Sequence, residues 1–454
     1  MRIFIFCATL LTGVFTLRGF PAGDEFTQEE KARVAASIKA EFLRSWQAYK
    51  KYAWGHDGIR PISKTPYDWY GEPLMMTPVD ALDTMVLMGL TGEADTVREY
   101  IARNLRFDKD MYVKNFEITI RLLGGLISGY QLTGDARLLA LARDLGDRLL
   151  PVFNPATGLP YSDVNLKTGA VRGIRTNPCE AGSLLLEFGT LSKLTGNPVY
   201  YEKAKRSFRK VYERRSPIGL VGSQIDCETG RWTAAESHIG ACIDSYYEYM
   251  VKCARLFGDG ECLEMWDHSI IALNRYLADS AAGGLWYGRA DMNSGKRTKR
   301  WFGELEAFFP AVLVLAGDVE RARALQESSL AMWTRYGVEP EQFDYASGTA
   351  VAPRFFLGPE IGESAYYLYR ATGEGRYLRM GKIIFDSMIT YCRTEGGFAE
   401  LKDVVTKEKS DRTETYFFAE TLKYLYLLFA APETLEFDKV TFNTEAHPIR
   451  RTWP

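Results

Sequence analysis

A glycine-centred turn recurs along this chain at an almost constant interval, so the chain must be built largely from like units. Thr133-Gly134-Asp135, Thr195-Gly196-Asn197, Gly258-Asp259, Gly317-Asp318 and Thr372-Gly373-Glu374 set their glycines 62, 62, 59 and 56 residues apart. Thr91-Gly92-Glu93 is an earlier copy. Glycine closes one helix in the left-handed conformation, and the acidic or amide residue beside it starts the next. Apolar residues flank each turn at helical spacing, as in Leu138, Leu139, Ala142, Leu145 and Leu149. Such a period holds a helix hairpin and a functional loop, and about seven units fill the chain. The expected fold is therefore all-α, a toroid of helix hairpins that buries its inner helices on every side. An open solenoid satisfies the same repeat. No Pro- or Ser-rich linker interrupts residues 24–454, which read as a single domain. Near the C-terminus, Leu435–Phe437 and Val440–Phe442 flank Asp438-Lys439 like a small hairpin.

Charge and the N-terminus narrow the function classes. Fifty-six basic side chains against 58 acidic ones give a net charge of −2, which leaves no electrostatic footprint for nucleic acid or an anionic membrane. Arg2 precedes an apolar run from Ile3 to Leu17, followed by Gly19, Pro21, Ala22 and Gly23. This pattern reads as a secretory signal over residues 1–23, and an uncleaved anchor is the lesser reading. The mature protein is expected to be secreted or periplasmic. Beyond Cys7, the cysteines Cys179, Cys227, Cys242, Cys253, Cys262 and Cys392 form no CxxC pair. The four histidines, 56, 238, 268 and 447, form no HExxH motif, so any metal should be held by oxygen.

Four segments place carboxylates on otherwise apolar helices. In Asn115–Tyr130, Glu117, Arg121, Gly124, Gly125 and Ser128 share one stripe, and isoleucines and leucines cover the rest. Glu117 and Arg121 also fit an ordinary i,i+4 pair on a solvent face. The two glycines weaken the helix, however, and make sense where something must approach closely. Asp244 and Glu248 lie one turn apart among tyrosines. Glu360 follows Pro359 at a helix start, with Glu363 one turn on, and Glu420 sits inside the apolar run Tyr416–Phe429. Buried unpaired carboxylates are costly, so such a set should share protons, sugar hydroxyls or a cation. Glycosidic hydrolysis needs one protonated carboxyl for the leaving oxygen and one ionised carboxylate for water or the sugar. Spacing along the chain leaves inversion and retention both open.

The ordered strings Tyr52-Ala-Trp-Gly-His-Asp57, Val79-Asp-Ala-Leu-Asp-Thr84, Phe116-Glu-Ile-Thr-Ile-Arg121, Pro160-Tyr-Ser-Asp-Val-Asn165, Asp244-Ser-Tyr-Tyr-Glu-Tyr249, Pro359-Glu360, Glu420-Thr-Leu-Lys-Tyr424 and Phe442-Asn-Thr-Glu-Ala-His-Pro448 resemble glycoside hydrolase family 47, the class I α-mannosidases. The resemblance runs over nearly all of the mature length. It implies an (α/α)7 barrel of helix hairpins plugged by a small C-terminal β-hairpin. It also implies an inverting exo-α-mannosidase that removes α-1,2-linked mannose from mannose-containing oligosaccharides or N-glycans. By motif position, Glu117 is then the general acid, acting through a water, Glu360 the general base, and Asp244 the third core carboxylate. Substrate contacts fall to Arg121, Glu180, Glu363, Tyr416, Glu420 and Glu445. The implied cofactor is Ca2+, with Thr444 as its direct ligand through hydroxyl and carbonyl oxygens. Glu363, Glu420 and Glu445 resemble the carboxylates that hold its waters. No nucleic acid partner, no membrane after signal removal and a monomeric state are expected.

The chain departs from the family pattern in a few places. Cys242 and Gly358 stand where arginine is usual, and Glu304 where histidine is usual. Ala307 removes one partner of a disulfide common in eukaryotic members. Cys242, Gly358 and Glu304 bear on sugar recognition, especially on the leaving-group side, where Glu180 keeps a carboxylate. A catalytically weak relative that binds mannose glycans is the alternative within the family. A six-hairpin glycosidase or lyase would leave the Thr444 loop without a role.

Overall fold

The computed structural model of the protein describes residues 26–453. The expected export signal, residues 1–23, lies outside them.

Helix α1 (Gln28–Tyr52) comes first, followed by the pair α2 (Met76–Leu87) and α3 (Thr91–Asn104). Next, α4 (Asn115–Ile118) runs through a π-helical turn (Thr119–Leu123) into α5 (Gly124–Thr133), which pairs with α6 (Ala136–Leu149). Then come α7 (Pro178–Gly182) and α8 (Leu185–Thr195) with α9 (Pro198–Tyr212), and α10 (Asp244–Phe257) with α11 (Gly260–Tyr276). They are followed by α12 (Phe309–Leu315) with α13 (Val319–Tyr336), and α14 (Glu360–Thr372) with α15 (Gly375–Tyr391). The last helix, α16 (Leu422–Phe429), follows a second π-helical turn (Phe417–Thr421) and packs on α1, so the first helix partners the last.

Two layers result. The first helix of each pair is buried nearly all round: every residue of α2 except Val86 is buried. The second helix buries only a stripe, as α3 does with Ala94, Val97 and Ile101, and turns its polar face outward. Contacts among the first helices run in a ring. α2 meets α5, then α8, α10, α12, α14 and α16 follow in turn, and the π turn before α16 returns to α2.

The glycine turns have the conformation that their spacing predicts. Gly134, Gly196, Gly258, Gly317 and Gly373 have φ of 73, 73, 68, 88 and 71°. A Cβ at any of them would meet nothing, so backbone angle rather than space calls for glycine. Asp135, Asn197, Asp259 and Asp318 then cap the following helices through their side chains. Gly92 is a correction. It lies in the first turn of α3, and the left-handed residue there is Gly89, with φ 64°.

The fold is helix-rich, but the described residues also hold nine small two- or three-stranded sheets. Most lie in the long connections from each outer helix to the next inner one. The C-terminal hairpin is real but differs in register from the expectation. Phe437–Lys439 forms a 3-10 turn, and Val440–Phe442 pairs with Pro448–Arg450 instead. The loop between these strands, Asn443–His447, is therefore the tip. It is what approaches the paired glycines of α5. A Cβ on Gly124 would lie 2.5 Å from Asn443 Nδ2, and one on Gly125 3.1 Å from His447 Cε1.

Candidate active site

The carboxylates singled out in the sequence all sit at one end of the inner helices. Glu117 and Glu180 lie in the first turns of α4 and α7, Asp244 opens α10, Glu360 and Glu363 open α14, and Glu420 lies in the π turn before α16. Helix N-termini present unsatisfied N–H groups and positive dipole ends, which favours negative charge there. These helix ends thus bring their carboxylates to one space, and the hairpin loop enters it with Thr444 and Glu445.

That space is a cavity of about 640 Å³. All ten predicted site residues line it: Glu117, Arg121, Glu180, Asp244, Glu360, Glu363, Tyr416, Glu420, Thr444 and Glu445. Phe116, Trp301, Phe308 and Phe356 add aromatic wall, which suits the C–H-rich faces of a sugar. Both of Arg121's bonds to Glu117 go to Oε2, at 3.0 and 3.2 Å, and its other arm bonds Glu445. Burial works against the guanidinium charge, but Glu445 and Glu117 hold it firmly cationic. Its plane also lies over the rings of Trp69 and Tyr416. The π turn at 119–123 carries Arg121; such turns often mark functional sites.

Burial dominates the electrostatics. It pushes Asp244 up to about 6, against the Cys179 thiol, which donates to Asp244 Oδ1 at 2.8 Å, and the Ser245 N–H, which donates at 2.8 Å. Burial also carries Glu360 well above the usual carboxylate range, and Glu304 and Glu339 add to the effect. Glu363 is raised to about 8 by burial, although Lys252 opposes the shift. Glu420 rises well above the ordinary range through burial and its carboxylate neighbours Glu360 and Glu363. Glu445 does so through burial, despite Arg121. Such a site contains both protonated and ionised carboxyls near neutral pH, the pair that acid–base chemistry needs.

Thr444, Glu363, Glu420 and Glu445 all line the cavity and offer it oxygen donors. Hard cations such as Ca2+ prefer such donors, and a dication would favour the ionised forms that burial penalises. A second buried network fixes the loop that carries Thr444. Lys423 Nζ contacts Asp83 Oδ1 at 2.7 Å and donates to Ala446 O at 2.6 Å, while His447 Nδ1 lies 2.6 Å from Asp83 Oδ2. Asn443 Nδ2 donates to Ile120 O and Glu187 Oε1, each at 2.8 Å.

Three of the departures, Cys242, Gly358 and Glu304, also border the cavity. Cys242 holds a left-handed φ of 76° beside Asp244, and Gly358 N–H donates to Glu304 Oε1 at 2.8 Å. Sequence reasoning passed over Arg289, Glu306, Glu341 and the fully buried Glu339. Arg289 is in a short strand, Glu306 in a 3-10 turn, and Glu339 and Glu341 in a loop, so no helical stripe announces them.

Known proteins resemble this chain in sequence and in fold. Residues 41–451 match the family model for glycosyl hydrolase family 47. The chain is 35% identical to alpha-mannosidase I MNS5 of Arabidopsis thaliana, over 93% of its own length and 78% of that protein's. It is equally similar, at 35%, to the mouse ER degradation-enhancing alpha-mannosidase-like protein 2, over 94% and 79%. Its fold superposes on the alpha-1,2-mannosidase from Trichoderma reesei with a TM-score of 0.85 and 27% identity, covering 92% of this chain and 99% of that one.

Proposed function

This chain belongs to glycosyl hydrolase family 47, and from that premise we propose that it is a calcium-dependent, inverting exo-α-mannosidase that removes α-1,2-linked mannose from mannose-containing glycans. Residues 24–454 are its single catalytic domain, an (α/α)7 barrel plugged by the hairpin that presents Thr444. The observation that carries the proposal is Glu360. It lies in the cavity wall at the N-terminus of α14, and its Oε2 meets no hydrogen-bond donor. That oxygen is buried beside Gly358 and Glu304, so it is the cavity-facing side of the carboxylate that is placed to take a proton from an attacking water.

Glu117 supplies the opposite function. Arg121 engages only its Oε2, which leaves Oε1 to carry the proton that reaches the departing oxygen through a water. Protonating that oxygen prevents it from leaving as an alkoxide. Asp244, raised to about 6, is the third carboxyl, poised between its two forms near working pH. Arg121, Glu180 and Tyr416 orient the sugar, while Glu363, Glu420 and Glu445 hold the waters of the ion bound by Thr444. When bound, calcium supplies oxygen coordination to sugar hydroxyls and favours a distorted ring. The protein acts as an exported monomer; none of its described helices is long and apolar enough to cross a membrane.

The test is proton NMR of a panel of methyl α-mannobiosides of different linkage, whose leaving group is anomerically locked, followed from the first minutes with calcium and with a chelator. The expected product is β-mannose, from the α-1,2 substrate, in the calcium arm. Initial release of α-mannose, or turnover untouched by chelation, would overturn the mechanism. Cys242, Gly358 and Glu304 in the cavity wall favour one second reading, a glycan-binding relative with little turnover. Tight binding of the mannobioside without hydrolysis would select it.

A further inference from the structure

We propose that Glu304, Glu339 and Glu360 form a second divalent-cation site, separate from the Thr444 loop, with calcium as the fitting ion. The three residues come from different connections. Glu304 precedes the 3-10 turn Leu305–Phe308, Glu339 lies in the loop after α13, and Glu360 opens α14. One carboxylate oxygen from each lies within 4.8 Å of the other two. Oxygens this close can share one cation, and Ca2+, which takes carboxylate oxygens at about 2.4 Å in flexible geometry, suits three side chains from separate loops better than Mg2+, which demands a near-ideal octahedron.

A cluster of acids is common without an ion, so the donors around it decide the matter. Glu339 is fully buried, and neither of its oxygens meets a hydrogen-bond donor. The Oε2 of Glu360 is likewise buried without a partner. Only Glu304 is held, by the N–H groups of Gly358 at 2.8 Å and Phe356 at 3.4 Å. Those bonds turn its carboxylate toward the other two. Burial raises all three groups, and each also feels neighbouring carboxylates. Three converging carboxylates with free, desolvated lone pairs lack a positive partner, and oxygen-loving dications fill that role in proteins.

Gly358 completes the cradle. A Cβ there would fall on both Glu304 Oε1 and Glu360 Oε2, so the convergence requires a residue without a side chain. Glu304 and Glu360 border the cavity and Glu339 closes the site from behind, which puts the ion within the wall rather than in the sugar's path. An ion there would keep Glu360 ionised and fix its direction. That consequence rests on Glu360 as the general base; the binding itself does not.

The test counts ions. Full-length mature protein is stripped with a chelator, refilled with calcium, desalted and measured by inductively coupled plasma mass spectrometry; calorimetric titration with Ca2+ and Mn2+ runs alongside. Wild type should hold two ions per chain, and Glu339→Gln and Thr444→Val one each. Glu339→Gln should weaken the affected step about 100-fold or more. Gly358→Ala, which fills the cradle without changing charge, should lose the same ion, and thermal melts confirm that each variant is folded. A single wild-type ion that survives Glu339→Gln and vanishes in Thr444→Val overturns this site and leaves the calcium reading standing. A single ion with the reverse behaviour supports this site and removes Thr444 as a ligand. Two wild-type ions that both survive Glu339→Gln and Gly358→Ala, or no ion at all, also overturn it.

Discussion

Asp244 is set by its neighbours more than by its own chemistry. Burial raises it to about 6, and the Cys179 thiol and the Ser245 N–H both favour its ionised form. Removing the thiol in Cys179→Ala should therefore raise Asp244 further and shift the acid limb of the kcat/KM profile upward by about half to one pH unit. Cys179→Ser keeps a donor and should keep the limb in place. Identical limbs for Ala and wild type would disconnect the thiol from catalysis. Glu360→Gln removes the base while keeping its shape. Turnover should fall by about 10²- to 10⁴-fold, and calorimetry should find mannobiose affinity little changed. A near-normal rate would assign the base elsewhere. At this scale the sequence was readable wherever a carboxylate interrupted an apolar helix, as Glu117, Asp244, Glu360 and Glu420 do. Glu339 and Glu306 left no such trace, because a loop and a 3-10 turn impose no periodicity. Only the fold brings them beside Glu360 and Asp244.

Among the elements, the hairpin Val440–Arg450 links the core to the site. Its loop is tied by Asn443, whose Oδ1 accepts the N–H groups of Glu445 at 3.0 Å and His447 at 2.8 Å. Beneath it, Lys423 on α16 bonds both Asp83 on α2 and the carbonyl of Ala446. Lys423→Met leaves Asp83 with one cationic partner fewer in a fully buried place. The expected loss is about 3–5 kcal/mol of unfolding free energy, measured by urea denaturation, with weaker calcium binding because the loop loses its anchor. A loss below about 1 kcal/mol would show that His447 alone satisfies Asp83. The sequence placed this hairpin correctly near the C-terminus but misread its turn. Asp438-Lys439 has the composition of a tight turn, whereas the actual tip is ordered by side-chain bonds that composition does not reveal. The helix turns were legible for the opposite reason: left-handed φ needs glycine, and that need recurs once per unit. Thr91-Gly92-Glu93 misled because the first turn of a helix also tolerates glycine.

Across the whole molecule, buried carboxylates bind protons more tightly in the folded state than in the unfolded one. Asp57 and Asp244 rise to about 6, Glu187 and Glu400 to about 7, and Glu304 and Glu363 to about 8, in each case mainly through burial. A raised carboxyl means that the folded state holds the proton over a pH range where the unfolded chain has released it. Stability from these groups is thus fully present below the ordinary carboxyl range of about 4 and is lost as pH climbs from there through about 6 to 8, by up to about 1.4 kcal/mol per unit for each titrating group. His447 acts in the same direction. Burial opposes its charge, but Asp83 and Asp80 hold it up at about 9, so its contribution is full below the ordinary histidine value and is lost toward 9. Asp83, held at about 2 by Lys423 and His447 in spite of burial, loses its contribution only in strong acid. Metal-free protein should therefore melt at a lower temperature at about pH 8 than at about pH 5.5. Calcium should raise the melting temperature more at the higher pH, since a dication favours the ionised carboxylates that burial penalises. Differential scanning calorimetry at both pH values, with chelator and with excess calcium, checks both slopes. A metal-free melting temperature that rises with pH would mean that the central carboxylates are already compensated by protein cations. An equal calcium increment at both values would mean that the ion binds away from them.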